Sequence, residues 1–162
     1  MRFQTLDWAE TSGVVRLTLN RPHRRNALTF AMMRELTDAF HRVGCDPAIR
    51  VLVLEGAGGH FSAGGDLDHM LAPPEEAGPD PVATAYRRMG EALGALAALP
   101  QAVIAVVDGA CVGGGLGLAA TADYVIATRT AKFGMPEARA GFIPSQILPA
   151  VVSLAHAVNF LL

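Results

Sequence analysis

The spacing of apolar residues changes several times along the chain, and each change marks an element. Residues 3–10 and 14–20 flank the turn residues Thr11, Ser12 and Gly13. The second arm, VVRLTLN, alternates apolar and polar positions, which predicts an opening β-hairpin. Asn20, Arg21 and Pro22 then require a turn. Thr29 can cap a helix in which Phe30, Met33, Leu36, Phe40 and Val43 recur at helical spacing, and Gly44 and Pro47 end it. Residues 50–55, RVLVLE, are nearly all apolar and predict a strand buried on both faces. A glycine-rich loop follows over 56–65.

Asp66 opens a short helix, and residues 72–81, APPEEAGPDP, form a proline-rich acidic loop of the kind that stays mobile or covers a site. A helix over 82–99 places Ala85, Tyr86, Met89, Leu93 and Leu96 on one face. After Pro100 come a buried strand at 103–107, a second glycine-rich loop at 109–117, a helix at 118–122 and a short strand at 124–127. The order ββ, αβ, αβ, αβ gives an α/β fold with parallel strands joined by right-handed crossovers.

Composition narrows the function classes. At 162 residues, 51% hydrophobic and 17% charged, the chain can bury one sizeable core. A formal net charge of -2 gives no basic excess for nucleic acid or an anionic membrane. The opening MRFQTLDWAE lacks the apolar run of a signal peptide, and no segment is long enough for a membrane span. Cys45 and Cys111 form no disulfide or metal framework, so a reducing, cytoplasmic setting is expected. His23, His41, His60, His69 and His156 are scattered, none at metal-like spacing, so they read as surface or packing residues and no metal site is expected. Ser62 and Ser145 lack a nucleophile elbow, Cys111 reads as core filler, and Asp123 as a structural acid. The apolar run at 150–162 stops without a cap or polar tail, which reads as a truncated chain.

Candidate chemistry lies in the two glycine loops. The strand, glycine loop, helix unit occurs at 51–70 and again at 102–123. Each places free N–H groups at a helix start, where the dipole favours negative charge. Two such loops converging on one carbonyl oxygen would stabilise its developing charge by roughly 3 to 4 kcal/mol per donor. On glycines alone, phosphate or dinucleotide sites and purely structural turns fit as well. Neither loop completes G-x-x-x-x-G-K-[ST], and Leu118 stands where G-x-G-x-x-G needs its third glycine.

Four segments narrow the choice: NRPHRRNAL at 20–28, FSAGGDL at 61–67, GGGLGLAATAD at 113–123 and KFGMPEARAGFIP at 132–144. In that order they resemble the signature segments of the crotonase (enoyl-CoA hydratase/isomerase) superfamily. The resemblance implies that residues 1–162 form one α/β crotonase-like core domain, a spiral of repeated ββα units lacking the C-terminal helical segment. It also implies an acyl-CoA ligand, with coenzyme A entering as part of the substrate and not as a cofactor, and assembly as trimers or pairs of trimers. The two oxyanion N–H groups fall on Gly65 and Gly114. His23, Arg24, Arg25, Ala27, Ala63, Asp66, Leu67 and Pro136 match positions that line the CoA ester, with Arg24 or Arg25 meeting the phosphates. Asp66 reads equally well as a helix cap.

Hydratases of this family carry two glutamates. Here the first position is Gly117 and the second is Glu137. The resemblance therefore assigns Glu137 alone as general acid/base, its pKa raised by Phe133, Met135 and Ile143. One carboxylate can hydrate a double bond on one face or move a proton between Cα and Cγ. Together with GFIPSQILP at 141–149, the glycine resembles one-glutamate hydratases of methylglutaconyl or isohexenylglutaconyl type. Hydration is expected ahead of 3,2-isomerisation, and a non-catalytic CoA-binding or assembly protein is the reading from another class.

Overall fold

The computed structural model describes residues 3–136. Strands β1 (Leu6–Thr11) and β2 (Val14–Leu19) form the expected hairpin. Its two-residue turn, Ser12-Gly13, has both residues at positive φ, the geometry that matches strand twist. Helix α1 (Phe30–Cys45) leads to β3 (Val51–Gly56). Helices α2 (Leu67–Leu71) and α3 (Pro81–Ala97) lead to β4 (Ala102–Val107). Strand β5 (Ala110–Val112) and helix α4 (Gly114–Thr121) precede β6 (Tyr124–Ala127) and β7 (Lys132–Gly134).

The main sheet has the order β1-β2-β3-β4-β6, in which β1 alone is antiparallel. Strands β5 and β7 make a second, parallel pair. The ββα unit repeats: β1, β2, α1; β3, the bridge at Ser62, α2; and β4, β5, α4. Register aligns Val15, Leu52 and Val103 in one row and Leu17, Leu54 and Ala105 in the next, all buried. Against these rows pack Leu36, Phe40 and Val43 of α1 and Met89, Leu93 and Leu96 of α3. Full burial of each large side chain is worth about 1.5–3 kcal/mol.

The structure corrects several expectations. Strand β3 is not buried on both faces: Leu52 and Leu54 are inside, while Val51 and Val53 are only half-covered, because α1 and α3 pack against the opposite side. Residues 110–112 pair as a strand, because backbone partners on β7 outweigh the local glycine signal. Helix α4 begins at Gly114, not at 118: the Gly117 N–H donates to Gly113 C=O at 3.1 Å and closes a first turn that glycine propensity argues against. Helix α3 starts at Pro81 behind Asp80, whose carboxylate accepts from the Ala83 N–H, and it buries Ala92 where Tyr86 was expected. Within the acidic loop, Glu75–Ala77 forms a 3-10 turn with Ala77 fully buried. No helix among the described residues is long and apolar enough to cross a membrane.

Candidate functional site

Three backbone segments lie side by side at the C-terminal ends of the parallel strands, where α/β folds bind ligands. Residues 61–66 run in the middle. On one edge Phe61 N–H donates to Asp108 C=O at 2.8 Å, Ser62 N–H to Ala110 C=O at 2.9 Å, and Val112 N–H to Ser62 C=O at 3.0 Å. On the other, Ala63 N–H donates to Arg25 C=O at 2.9 Å, Leu28 N–H to Gly64 C=O at 2.7 Å, and Asp66 N–H to Leu28 C=O at 3.0 Å. Gly64 C=O and Asp66 N–H both address Leu28, so the Gly65 N–H between them points to the opposite edge, toward the second loop.

The parallel bridge between Ser62 and Cys111 sets the register of the two loops. Gly65 and Gly114 each lie three residues beyond it. Gly114 is the first residue of α4, ahead of the first intrahelical bond, so its N–H has no helical acceptor. Neither the Gly65 nor the Gly114 N–H donates to an acceptor among the described residues. Close approach of the loops depends on glycine at two points. Gly64 has φ +82, and a Cβ there would lie 3.0 Å from Val112 O; a Cβ on Gly115 would lie 2.6 Å from Ser62 Cβ. Two unspent donors at matching offsets can hold one oxygen as it gains negative charge.

Side chains fix the first loop. Asn26 is fully buried at φ +55; its Oδ1 accepts from the Arg21 N–H at 2.9 Å, and its Nδ2 donates to Ala57 O at 2.8 Å and His60 O at 2.7 Å. Ser62 Oγ donates to Asn26 O at 2.8 Å and accepts from the Gly64 N–H at 3.2 Å. Asp66 is buried, accepts from Arg21 Nη1 at 2.8 Å, and caps α2 by accepting from the N–H groups of Asp68 and His69. Burial pushes its carboxyl pKa up, but the Arg21 hydrogen bond and charge, with the His69 N–H and charge, outweigh burial and hold it below the ordinary 3.8.

The expected CoA-lining residues divide accordingly. His23, Arg24 and Arg25 are exposed on the turn Pro22–Arg24 and its left-handed C-cap. Arg24 pairs with Asp66 and Asp68, whereas Arg25 has no ion pair among the described residues. Ala27 is buried, Ala63 half-buried, and Leu67 and Pro136 exposed. Asp66 serves as cap and anchor. Glu137, Ile143, Ser145, His156 and residues 141–149 lie outside the described residues. Cys111 is buried core, its thiol pushed up to about 12 by burial, and Asp123 accepts from the Val103 N–H at 2.7 Å. Among the described residues no group of three His, Cys, Asp or Glu could hold a metal. Sequence reasoning passed over Arg21 and Asn26, although an asparagine inside a loop is a signal for the left-handed backbone it adopts.

A family model described as Enoyl-CoA hydratase/isomerase matches residues 9–161. The chain is 39% identical over 154 residues to 1,2-epoxyphenylacetyl-CoA isomerase of Escherichia coli, covering 93% of this chain and 59% of that protein. It is 38% identical over 157 residues to (E)-benzylidenesuccinyl-CoA hydratase of Thauera aromatica, covering 94% and 59%. Among solved structures, Pseudomonas aeruginosa AtuE superposes with a TM-score of 0.88 at 43% identity, covering 96% of this chain and 61% of that one. The chain thus spans about three-fifths of the length of these relatives.

Proposed function

Because the chain belongs to the enoyl-CoA hydratase/isomerase family, we propose that it acts on acyl-CoA thioesters, holding the thioester oxygen between the Gly65 and Gly114 N–H groups. The observation that carries this reading is the matched register of the two loops, which leaves one unspent donor at the same offset on each. Arg25 meets the CoA phosphates, and the loop at His23 to Ala27 with Ala63 and Leu67 lines the pantetheine.

The reaction is the reversible hydration of a 2-enoyl-CoA. Glu137 takes a proton from water as its oxygen bonds to Cβ; the Cα=Cβ electron pair moves toward the thioester oxygen, and the two N–H groups stabilise the enolate. Glu137 then returns that proton to Cα on the same face. With Gly117 where a second glutamate would stand, one carboxylate performs both transfers. The same glycine supports a one-glutamate substrate range of glutaconyl type, and it leaves 3,2-isomerisation as the second reading. Trimeric assembly and a cytoplasmic setting complete the proposal.

The test is loss of enoyl absorbance on incubation with crotonyl-CoA and with branched 2-enoyl-CoAs. Glu137→Gln keeps the side chain's shape and removes its charge, so turnover is expected to fall by 10²-fold or more. An undiminished rate would exclude Glu137. CoA binding without turnover of any enoyl-CoA by the wild type would favour a non-catalytic role.

A further inference from the structure

One buried polar atom beside the first loop has no part in the chemistry above. His69 lies in α2, four residues beyond Gly65, and its N–H donates to Asp66 Oδ1 at 3.5 Å. Its imidazole stacks near-parallel on Phe30, 21° between planes and 6.5 Å between centroids. The Nδ1 atom is buried and has no hydrogen-bond partner among the described residues. Buried polar groups in folded proteins are paired as a rule, so an orphan beside a ligand site points to a group that arrives with the ligand.

The surroundings say which part of the ligand that is. Asp66 ties the start of α2 to Arg21 and Arg24, the side assigned above to the CoA moiety. His69 packs instead on Phe30, whose C=O accepts from Arg88 Nη1 of α3 at 3.0 Å and whose ring lies 5.5 Å from the Arg88 guanidinium. Leu28 and Met89 close the same region against Gly114, where an added Cβ would come within 2.8 Å of Leu28 Cδ1 and 3.2 Å of Met89 Sδ. Leu28, Phe30 and Met89 are buried apolar side chains, and the one unpartnered imidazole nitrogen belongs to the ring stacked on Phe30.

We propose that His69 is a specificity-determining residue whose Nδ1 hydrogen-bonds an oxygen substituent on the acyl chain, so that oxygenated acyl thioesters are preferred to plain alkyl ones. This rests on the acyl-CoA reading. The imidazole matches an oxygen because its Nδ1 can donate or accept a hydrogen bond according to where the ring carries its protons, and a hydroxyl or a carboxylate meets one of these states. Apolar contacts alone discriminate weakly against such a group, whereas a dedicated hydrogen bond discriminates strongly.

The experiment compares kcat/KM for crotonyl-CoA with that for 2-enoyl-CoAs carrying a hydroxyl or a carboxylate at the chain end. The wild type is expected to favour one oxygenated substrate. His69→Phe keeps the stack but removes the nitrogen, and should lower that preference about tenfold or more. His69→Asn places an amide near the Nδ1 position and should restore part of it; His69→Gln, which places its amide near Nε2, should not. A second readout is the ¹⁵N resonance of His69 on binding non-reactive saturated CoA esters, which should move for the oxygenated ester and not for the alkyl one. An unchanged preference in His69→Phe, or binding of the oxygenated ester without movement of the Nδ1 resonance, overturns the assignment and leaves the acyl-CoA reading standing. If no CoA ester binds or turns over, both fall.

Discussion

The two glycine loops perform matching tasks by different physical means. The first, at residues 56–66, is held by side chains: Asn26 donates two hydrogen bonds into it and accepts a third from the Arg21 N–H, Ser62 ties it to the preceding segment, and Asp66 anchors its end to Arg21. The second, at 109–117, is held by backbone and by the lack of side chains. Lys132 N–H donates to Gly109 C=O at 2.7 Å, Gly113 N–H to Gly134 C=O at 3.0 Å, and Gly115 lets α4 sit against Ser62. A loop built on polar anchors should fail when an anchor is removed; a loop built on close approach should fail when an atom is added.

The largest effect is expected at Asp66. Asp66→Ala leaves Arg21 with its buried partner gone and uncaps α2, and should cost about 3 kcal/mol in denaturant unfolding. The dependence on pH has a definite sign. The folded carboxyl lies below 3.8, so its contribution is complete above that value and is lost as pH falls through the lower folded-state value. The stability gap between wild type and Asp66→Asn should hold constant near neutrality and shrink on acidification. A gap that widens toward acid would contradict the pairing.

The next effect separates the second loop from the first. Gly115→Ala adds a Cβ 2.6 Å from Ser62 Cβ and 3.1 Å from Ser62 O, and should cost about 1–2 kcal/mol despite the better helix propensity of alanine. Gly94 in α3 is the control, because a Cβ there meets nothing within 4 Å. Gly94→Ala should raise stability by about 0.5–1 kcal/mol in thermal unfolding. Equal responses at the two glycines would mean that loop approach is not what Gly115 supplies.

The same contrast explains what was legible in the sequence. Periodicity located α1 and α3 because burial on one face imposes it, apolar runs located β3 and β4, and the glycine runs marked both loops. The covering of β3 was misread because an unbroken apolar run looks alike whether one face or both are buried. Strand β5, the early start of α4 and the pairing with β7 were hidden, since their cause is contact with segments distant in the chain. Arg21 and Asn26 stood inside a recognised motif, but their work is to bond groups some thirty to forty-five residues away, the backbone oxygens of Ala57 and His60 and the carboxylate of Asp66, which local pattern does not display.

The central claim is that Gly65 and Gly114 share one thioester oxygen. Gly114 is the first residue of α4, a position that accepts proline, so Gly114→Pro removes one N–H there. The infrared carbonyl band of a bound 2-enoyl-CoA reads the donors directly. The wild type should shift the band to lower frequency on binding, and Gly114→Pro should reduce that shift while kcat falls by about 10²-fold or more. Gly114→Ala, which adds the same Cβ against Leu28 and Met89 but keeps the N–H, is the control and should retain the shift. An equal shift in the wild type and Gly114→Pro, or none in the wild type with ligand bound, would contradict the account.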